Sequence, residues 1–247
     1  MRSLSAVLAA WCVATVGHAQ RTITPGDAAL RPQHVRLATD TIVMLTTRPH
    51  GPEQLAMTVV RRIERARDEV GDIFRQIQVS ESPDGASELD TLDVSAQTLS
   101  MHRLVEVQDA DRMVLRFDGA RLSGTITADD STTQLVDMRS GPFFHAMMTE
   151  GFIGVYPLDP GTTVEFPELW QANVAARPAT LVADRSVAIE TADGRVDCLL
   201  VHGPRNVTMW VARDDGHLVR LRWTARDGMV VWKLPRRDVS FRRPSDG

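Results

Sequence analysis

The sequence predicts a mainly β protein: one antiparallel meander of about a dozen strands, with a single helical segment packed on a face of the sheet. Three observations lead there. The dipeptide Asp-Gly recurs at Asp84-Gly85, Asp118-Gly119, Asp193-Gly194, Asp215-Gly216 and Asp227-Gly228. Both central residues of a type I′ hairpin turn need positive φ, which Asp and Gly tolerate, so each pair predicts a tight reversal. The flanks of these pairs alternate apolar and polar residues with a period of two, as antiparallel strands with one buried face do. Only Pro142–Val155 has a stronger case as helix than as strand.

Taken in order, strands are expected at Thr41–Thr47, Ile73–Val79, Met101–Val107, Thr162–Phe166, Val187–Glu190, Val196–Val201 and Val207–Ala212. Before Asp118-Gly119, Met113, Leu115 and Phe117 share one face; after it, Leu122 and Ile126 continue the pattern. In His217–Trp223, Val219, Leu221 and Trp223 oppose Arg220 and Arg222, and Val230, Trp232 and Leu234 repeat the alternation. Glu53–Arg67 reads as a strand through Met57, Val59 and Ile63, although Leu55, Val59 and Ile63 also fall at a helical spacing of four. In Pro142–Val155, Ser140 can cap, Pro142 suits a first turn, and Phe144, Met147, Met148 and Phe152 share a face. Gly151 and Gly154 weaken its second half.

The chain ends read differently. Residues 1–19 carry Arg2, then an uncharged stretch rich in Leu, Ala and Val, and close on Gly17-His18-Ala19 before Gln20. That is the layout of a cleaved secretory signal, too short in its apolar part for a membrane-spanning helix. Export, to a periplasm or out of the cell, is the expectation. Cys12 is a poor lipid-attachment site because Trp11 stands where a small residue is needed. Residues 20–33 mix Pro25, Gly26 and Pro32 with polar residues and read as a linker; 34–234 form a single β domain, and the Arg-, Pro- and Asp-rich 235–247 a flexible tail.

Removal of the signal leaves 228 of the 247 residues and a net charge near −5, with no sign of a nucleic-acid partner. The mature chain keeps only Cys198, so no internal disulfide can form and the core must supply the stability. Chemistry-bearing motifs are not apparent. Gly-x-Ser-x-Gly and the phosphate-binding Gly-x-x-x-x-Gly-Lys do not occur, and Lys233, the one lysine, lies in a strand. The histidines form neither His-x-His nor His-Glu-x-x-His, and the paired acids sit where turns want them. Asp90 and Asp93 flank Leu92 and point to opposite faces of a strand. No catalytic residue, cofactor or metal ligand is expected. The aromatic and sulfur side chains are the remaining signal: Phe143, Phe144, Met147, Met148, Phe152, Trp210, Trp223 and Trp232 could line an apolar cavity or fill a core.

The stretch Arg195–Leu234 runs Val-Asp-Cys-Leu-Leu-Val, then Thr-Met-Trp-Val-Ala-Arg-Asp-Asp-Gly-His-Leu-Val-Arg-Leu, and closes on a further strand. With Asp90-Thr-Leu-Asp-Val-Ser-Ala-Gln-Thr-Leu and Leu115-Arg-Phe-Asp-Gly, it resembles exported bacterial proteins grouped as domain of unknown function 3108. The resemblance covers about Thr41–Leu234 and rests on turn and strand patterns. It implies a curved sheet partly wrapped around a helix, similar to the half-barrel of periplasmic lipoprotein carriers, and brings no catalytic residues. Two functions remain open: a carrier taking a lipid or other hydrophobic small molecule on its concave face, and a non-catalytic envelope scaffold or interaction domain with a filled core. An apolar pocket of several hundred Å3 between helix and sheet is the feature that separates them.

Overall fold

The computed structural model describes residues 19–119, 121–128, 132–139, 141–170 and 175–241. The expected signal before Ala19, the capping Ser140 and residues 242–247 lie outside these. The strands are β1 (Ala19–Thr22), β2 (Ala38–Thr47), β3 (Glu53–Arg67), β4 (Asp72–Glu81), β5 (Ser87–Ser95), β6 (Met101–Gln108), β7 (Asp111–Asp118), β8 (Arg121–Ala128) and β9 (Thr132–Arg139). After them come β10 (Phe144–His145), a short helix α1 (Ala146–Gly151), β11 (Thr162–Trp170), β12 (Ala175–Thr191), β13 (Gly194–Gly203), β14 (Val207–Ala212), β15 (Leu218–Thr224) and β16 (Val230–Pro235).

All sixteen described strands belong to one sheet, built from two meanders. The first walks from β2 to β9 and the second from β11 to β16, each through antiparallel neighbours. They are joined where β16 pairs antiparallel with β2, from Val230↔Thr47 to Pro235↔Ile42. β1 and β10 pair parallel with β11, one after the other along its edge, which makes the sheet mixed. Among the described residues no pairing joins β9 back to this end, so the barrel stays open.

Curvature follows from what the inner face touches. Phe74 of β4 meets Phe152, Phe117 of β7 meets Phe143, and Phe166 of β11 meets Phe144. Strands far apart in the sheet can reach one short segment only if the sheet curls around it. That segment, β10 to α1 and the following 3-10 turn Ile153–Val155, plugs the concave face. The mainly β half-barrel expected from the sequence is therefore present, with more strands than anticipated.

The hairpins differ from expectation in one respect. The glycine of each Asp-Gly pair has positive φ, but none of the five aspartates does, so the turns are not type I′. In Ser82–Ala86, Gly85 N–H donates to the Ser82 carbonyl and Ser82 N–H to the Ala86 carbonyl, a type I turn closed by a glycine bulge. Ala225–Met229 repeats it. The alternation in β15 is also broken. Trp210 pairs with Arg220 but Val211 with Leu218, so Val219 is a bulge and joins the outer face while Leu221 stays inside.

Three further expectations are corrected. Residues 20–33 are no linker: Gln20 pairs with Thr163 in β1, and Ile23 and Leu30 are buried in the main core. The expected tail forms a 3-10 segment, Arg236–Phe241, in which Asp238 is buried and accepts from Ala192 N–H at 2.8 Å. The helix is six residues long instead of spanning Pro142–Val155, because Phe144 and His145 are drawn into the sheet against Glu168 and Leu169. Its cap is His145, whose Nδ1 accepts from Met147 N–H at 3.3 Å. So short a helix has little stability alone and is held by its packing.

The plug also explains the glycines that seemed to weaken it. A Cβ on Gly154 would lie 2.7 Å from the Gly216 carbonyl oxygen, in backbone that cannot swing away as a side chain does. Gly154→Ala is expected to cost about 1–3 kcal/mol by overpacking, read as a lower urea midpoint. An unchanged midpoint would show that the plug and the β14–β15 turn do not meet this closely.

Candidate functional site

The eight residues singled out from the sequence separate onto two faces. Phe143, Phe144, Met148 and Phe152 are buried in the inner core, with Met147 and Trp223 packed partly against it. Trp210 and Trp232 lie on the outer face, in a second cluster with Val43, Leu45 and Leu200 that the C-terminal 3-10 segment covers through Val239. Their rings stack 5.6 Å apart at 24°. They line no common cavity with the plug, because residues two apart along a strand share a face and these two carry the opposite parity to Leu221 and Trp223.

Inside, the aromatic rings fill the space between plug and sheet. Phe144 lies 5.6 Å from Tyr156 and 5.7 Å from Phe166, the latter edge-on, and Tyr156 lies 5.1 Å from Phe166. All three rings are at most 1% exposed. Burial raises the Tyr156 hydroxyl well above its ordinary range.

One strand step away, the same face turns polar. A row crosses the sheet from Asp40 to Arg61, Gln78, Asp90 and Glu106, each directly opposite the next. The neighbouring row, Ile63, Gln76, Leu92, Leu104 and Leu115, is mostly apolar. Burial raises the carboxyl of Glu106 to about 8, helped by the charges of Asp90 and Glu88. Burial and Glu88 raise Asp90 to about 7, with Lys233 acting the other way. Glu106 thus keeps its proton at pH 7, where Asp90 is about half ionised. His145 Nε2 stands 3.9 Å from Glu106 Oε1, and burial lowers its imidazole to about 4, keeping it neutral. Because Nδ1 accepts a backbone bond, the ring proton sits on Nε2 and faces Glu106.

The plug is tied to this polar side. Lys233 Nζ lies 3.0 Å from both carboxylate oxygens of Glu150 on α1 and over the Trp223 ring. Thr149 donates to Glu168 at 3.0 Å, and Arg205 donates to the other Glu168 oxygen at 3.1 Å. On the outer surface Arg75 grips the buried Asp93 through two bonds of 2.7 and 2.9 Å, which places Asp90 and Asp93 on opposite faces. Cys198 is buried, and its thiol is pushed up to about 12 by that burial. Asp214, Asp215 and His217 bring ligand atoms within 4.8 Å of one another, but in a hairpin turn whose own bonds from His217 to Asp215 account for the grouping.

A cavity of about 560 Å3 opens where β15 and β16 part. Their pairing stops at Leu221↔Lys233, and beyond it Leu218–Arg220 face Leu234 and Pro235 across the opening. Its walls carry charged groups, Arg36, Asp40, Arg61, Glu150 and Lys233 among them, with His217 alongside. Sequence reading passed over this site. The signal it could have used is parity, since Arg61 sits between Val59 and Ile63 on the buried face of β3, where alternation calls for an apolar residue.

Residues 56–230, well over half the chain, match a single protein family, described as "Protein of unknown function (DUF3108)". The chain belongs to that family. The match runs from Ala56, within β3, to the first residue of β16, and so includes the plug and most of the polar row. No curated protein matches the chain significantly. Among solved structures, a β-barrel-like protein of domain of unknown function DUF1849 from Brucella abortus is similar at 12% identity and a TM-score of 0.47. The alignment covers 81% of this chain and 97% of that one. No described helix is long and apolar enough to cross a membrane.

Proposed function

We propose that this family member is an exported, non-catalytic β protein of the bacterial cell envelope whose half-barrel holds a filled core and which works through its surfaces. The filled interior carries the reading: Phe144, Phe152, Tyr156 and Phe166 occupy the place between plug and sheet that a carrier's lipid would take, each at most 1% exposed. Export rests on residues 1–19, with their single charge, apolar run and Gly17-His18-Ala19 ending. A cut after Ala19 would start the mature chain at Gln20, inside β1, so the new terminus would be held by the sheet at once.

Native mass spectrometry of the protein isolated from the envelope fraction tests both parts. The expected spectrum is a chain beginning at Gln20 and carrying no lipid. A co-purified lipid would overturn the filled core and favour a hydrophobic carrier; an intact residue 1–19 segment would overturn export.

A further inference from the structure

We infer that the opening between β15 and β16 is a binding site for a small oxyanion, a carboxylate or a phosphate, held by Arg61 and Arg36. Arg61 is only 7% exposed and lines the cavity, yet its Nε has no hydrogen-bond partner and its Nη2 reaches Asp40 at 3.5 Å. A buried guanidinium offers five N–H donors, and leaving them unmet is costly. Arg36 stands across the same carboxylate, 3.8 Å from Asp40, and 3.9 Å from Asp215, beyond hydrogen-bond reach of either. Asp215 is meanwhile engaged with His217 N–H at 3.1 Å. Two arginines therefore divide one carboxylate, Asp40, at stretched distances on the wall of a chamber of small-molecule size.

The chemistry of the walls says what would enter. Planar guanidinium forks match the paired oxygens of carboxylates and phosphates, and such charge-assisted bonds are the strong ones. Lys233 stands on the same wall with its charge met by Glu150 at 3.0 Å, so Arg61 and Arg36 are left to make the contacts. Asp40 then acts as the competing anion that a ligand displaces from the two guanidinium groups.

Titration calorimetry of the purified protein at low ionic strength, with inorganic phosphate and separately with citrate, tests the site. Saturable binding of at least one anion is expected, with Kd at about 1 mM or tighter. Which anion binds distinguishes a phosphate from a carboxylate ligand. Arg61→Met should weaken binding about tenfold or more, and Asp40→Asn, which removes the competitor, should tighten it about threefold. The second variant keeps the test decisive if the first folds poorly. No saturable heat with either anion up to about 10 mM would overturn the proposal, as would binding indifferent to both substitutions.

Discussion

Replacing Phe144 with Ala is expected to lower the stability of the domain by about 3–5 kcal/mol, more than any other single truncation in the plug. The ring is fully buried, lies within 6 Å of both Tyr156 and Phe166, and belongs to the two-residue strand that docks the plug onto β11. Truncation removes the transfer energy of the ring and leaves a cavity bounded by aromatic faces that the sheet cannot collapse to fill. Against a typical domain stability of about 5–15 kcal/mol, this is a large fraction. Thermal unfolding followed by circular dichroism should show Tm falling by about 10 °C. Leu135→Ala, on a side chain 79% exposed at the sheet edge, should by contrast change stability by less than about 0.5 kcal/mol. A loss below about 1 kcal/mol for Phe144→Ala would mean the space is not a packed core, and the carrier reading would regain its footing.

The contrast between Phe144 and Trp232 shows what the sequence could and could not convey. Alternation placed Met113, Leu115, Leu122 and Leu221 correctly on the inner face, because period two is a local property of the strand. It could not say that Trp210 and Trp232 belong to a second core outside, since β13 and β14 are apolar on both parities and in β16 the more apolar parity is the outer one. The covering element was itself hidden. Arg236–Phe241 has the composition of a tail, and the bond from Ala192 N–H to Asp238, the Arg237–Asp193 ion pair and the packing of Val239 against the sheet hold it down. The same holds at the other end, where Pro25, Gly26 and Pro32 suggest a linker while Ile23 and Leu30 anchor it. In both cases non-local contacts override a composition that is disordered by local rules.

The short helix is a milder case of the same effect. Its apolar residues did mark a plug for the sheet, and Phe144, Met148 and Phe152 do enter the core. The register of that plug was beyond reach, because it depends on two backbone pairings with β11, residues far along the chain. Charged residues on buried parities, Arg61 and Asp90, were the overlooked clue to the polar row. Such positions run against the local pattern, and that conflict is the physical sign that an interior face has work other than packing.

Glu106→Gln is expected to stabilise the domain at alkaline pH and to change it little near pH 5. The carboxyl has an ordinary value of 4.5 in the unfolded chain and about 8 in the fold, raised chiefly by burial and then by Asp90 and Glu88. The folded state thus holds a proton that the unfolded state releases, so stability is fully present below about pH 4.5 and is lost as pH rises through 8. Asp90, raised from 3.8 to about 7 for the same reason, adds a loss of the same sign over a slightly lower window. Glutamine keeps the shape of the protonated acid without a proton to lose, so the variant should escape the Glu106 part of this decline. The advantage at pH 9 is on the order of 2–4 kcal/mol, or about 10 °C in Tm. His145 works on the acid side in the opposite sense, since its imidazole is held neutral down to about 4 and the unfolded chain gains that proton first. Comparing Tm for the two proteins from pH 5 to pH 9 isolates the carboxyl, because the His145 contribution is common to both. Parallel curves across that range would mean that Glu106 ionises freely in the fold and that the polar row is open to water. A gap that opens above about pH 5 and levels off past pH 8 would place a proton on the concave face at neutral pH, on the parity Glu106 shares with the buried Leu104.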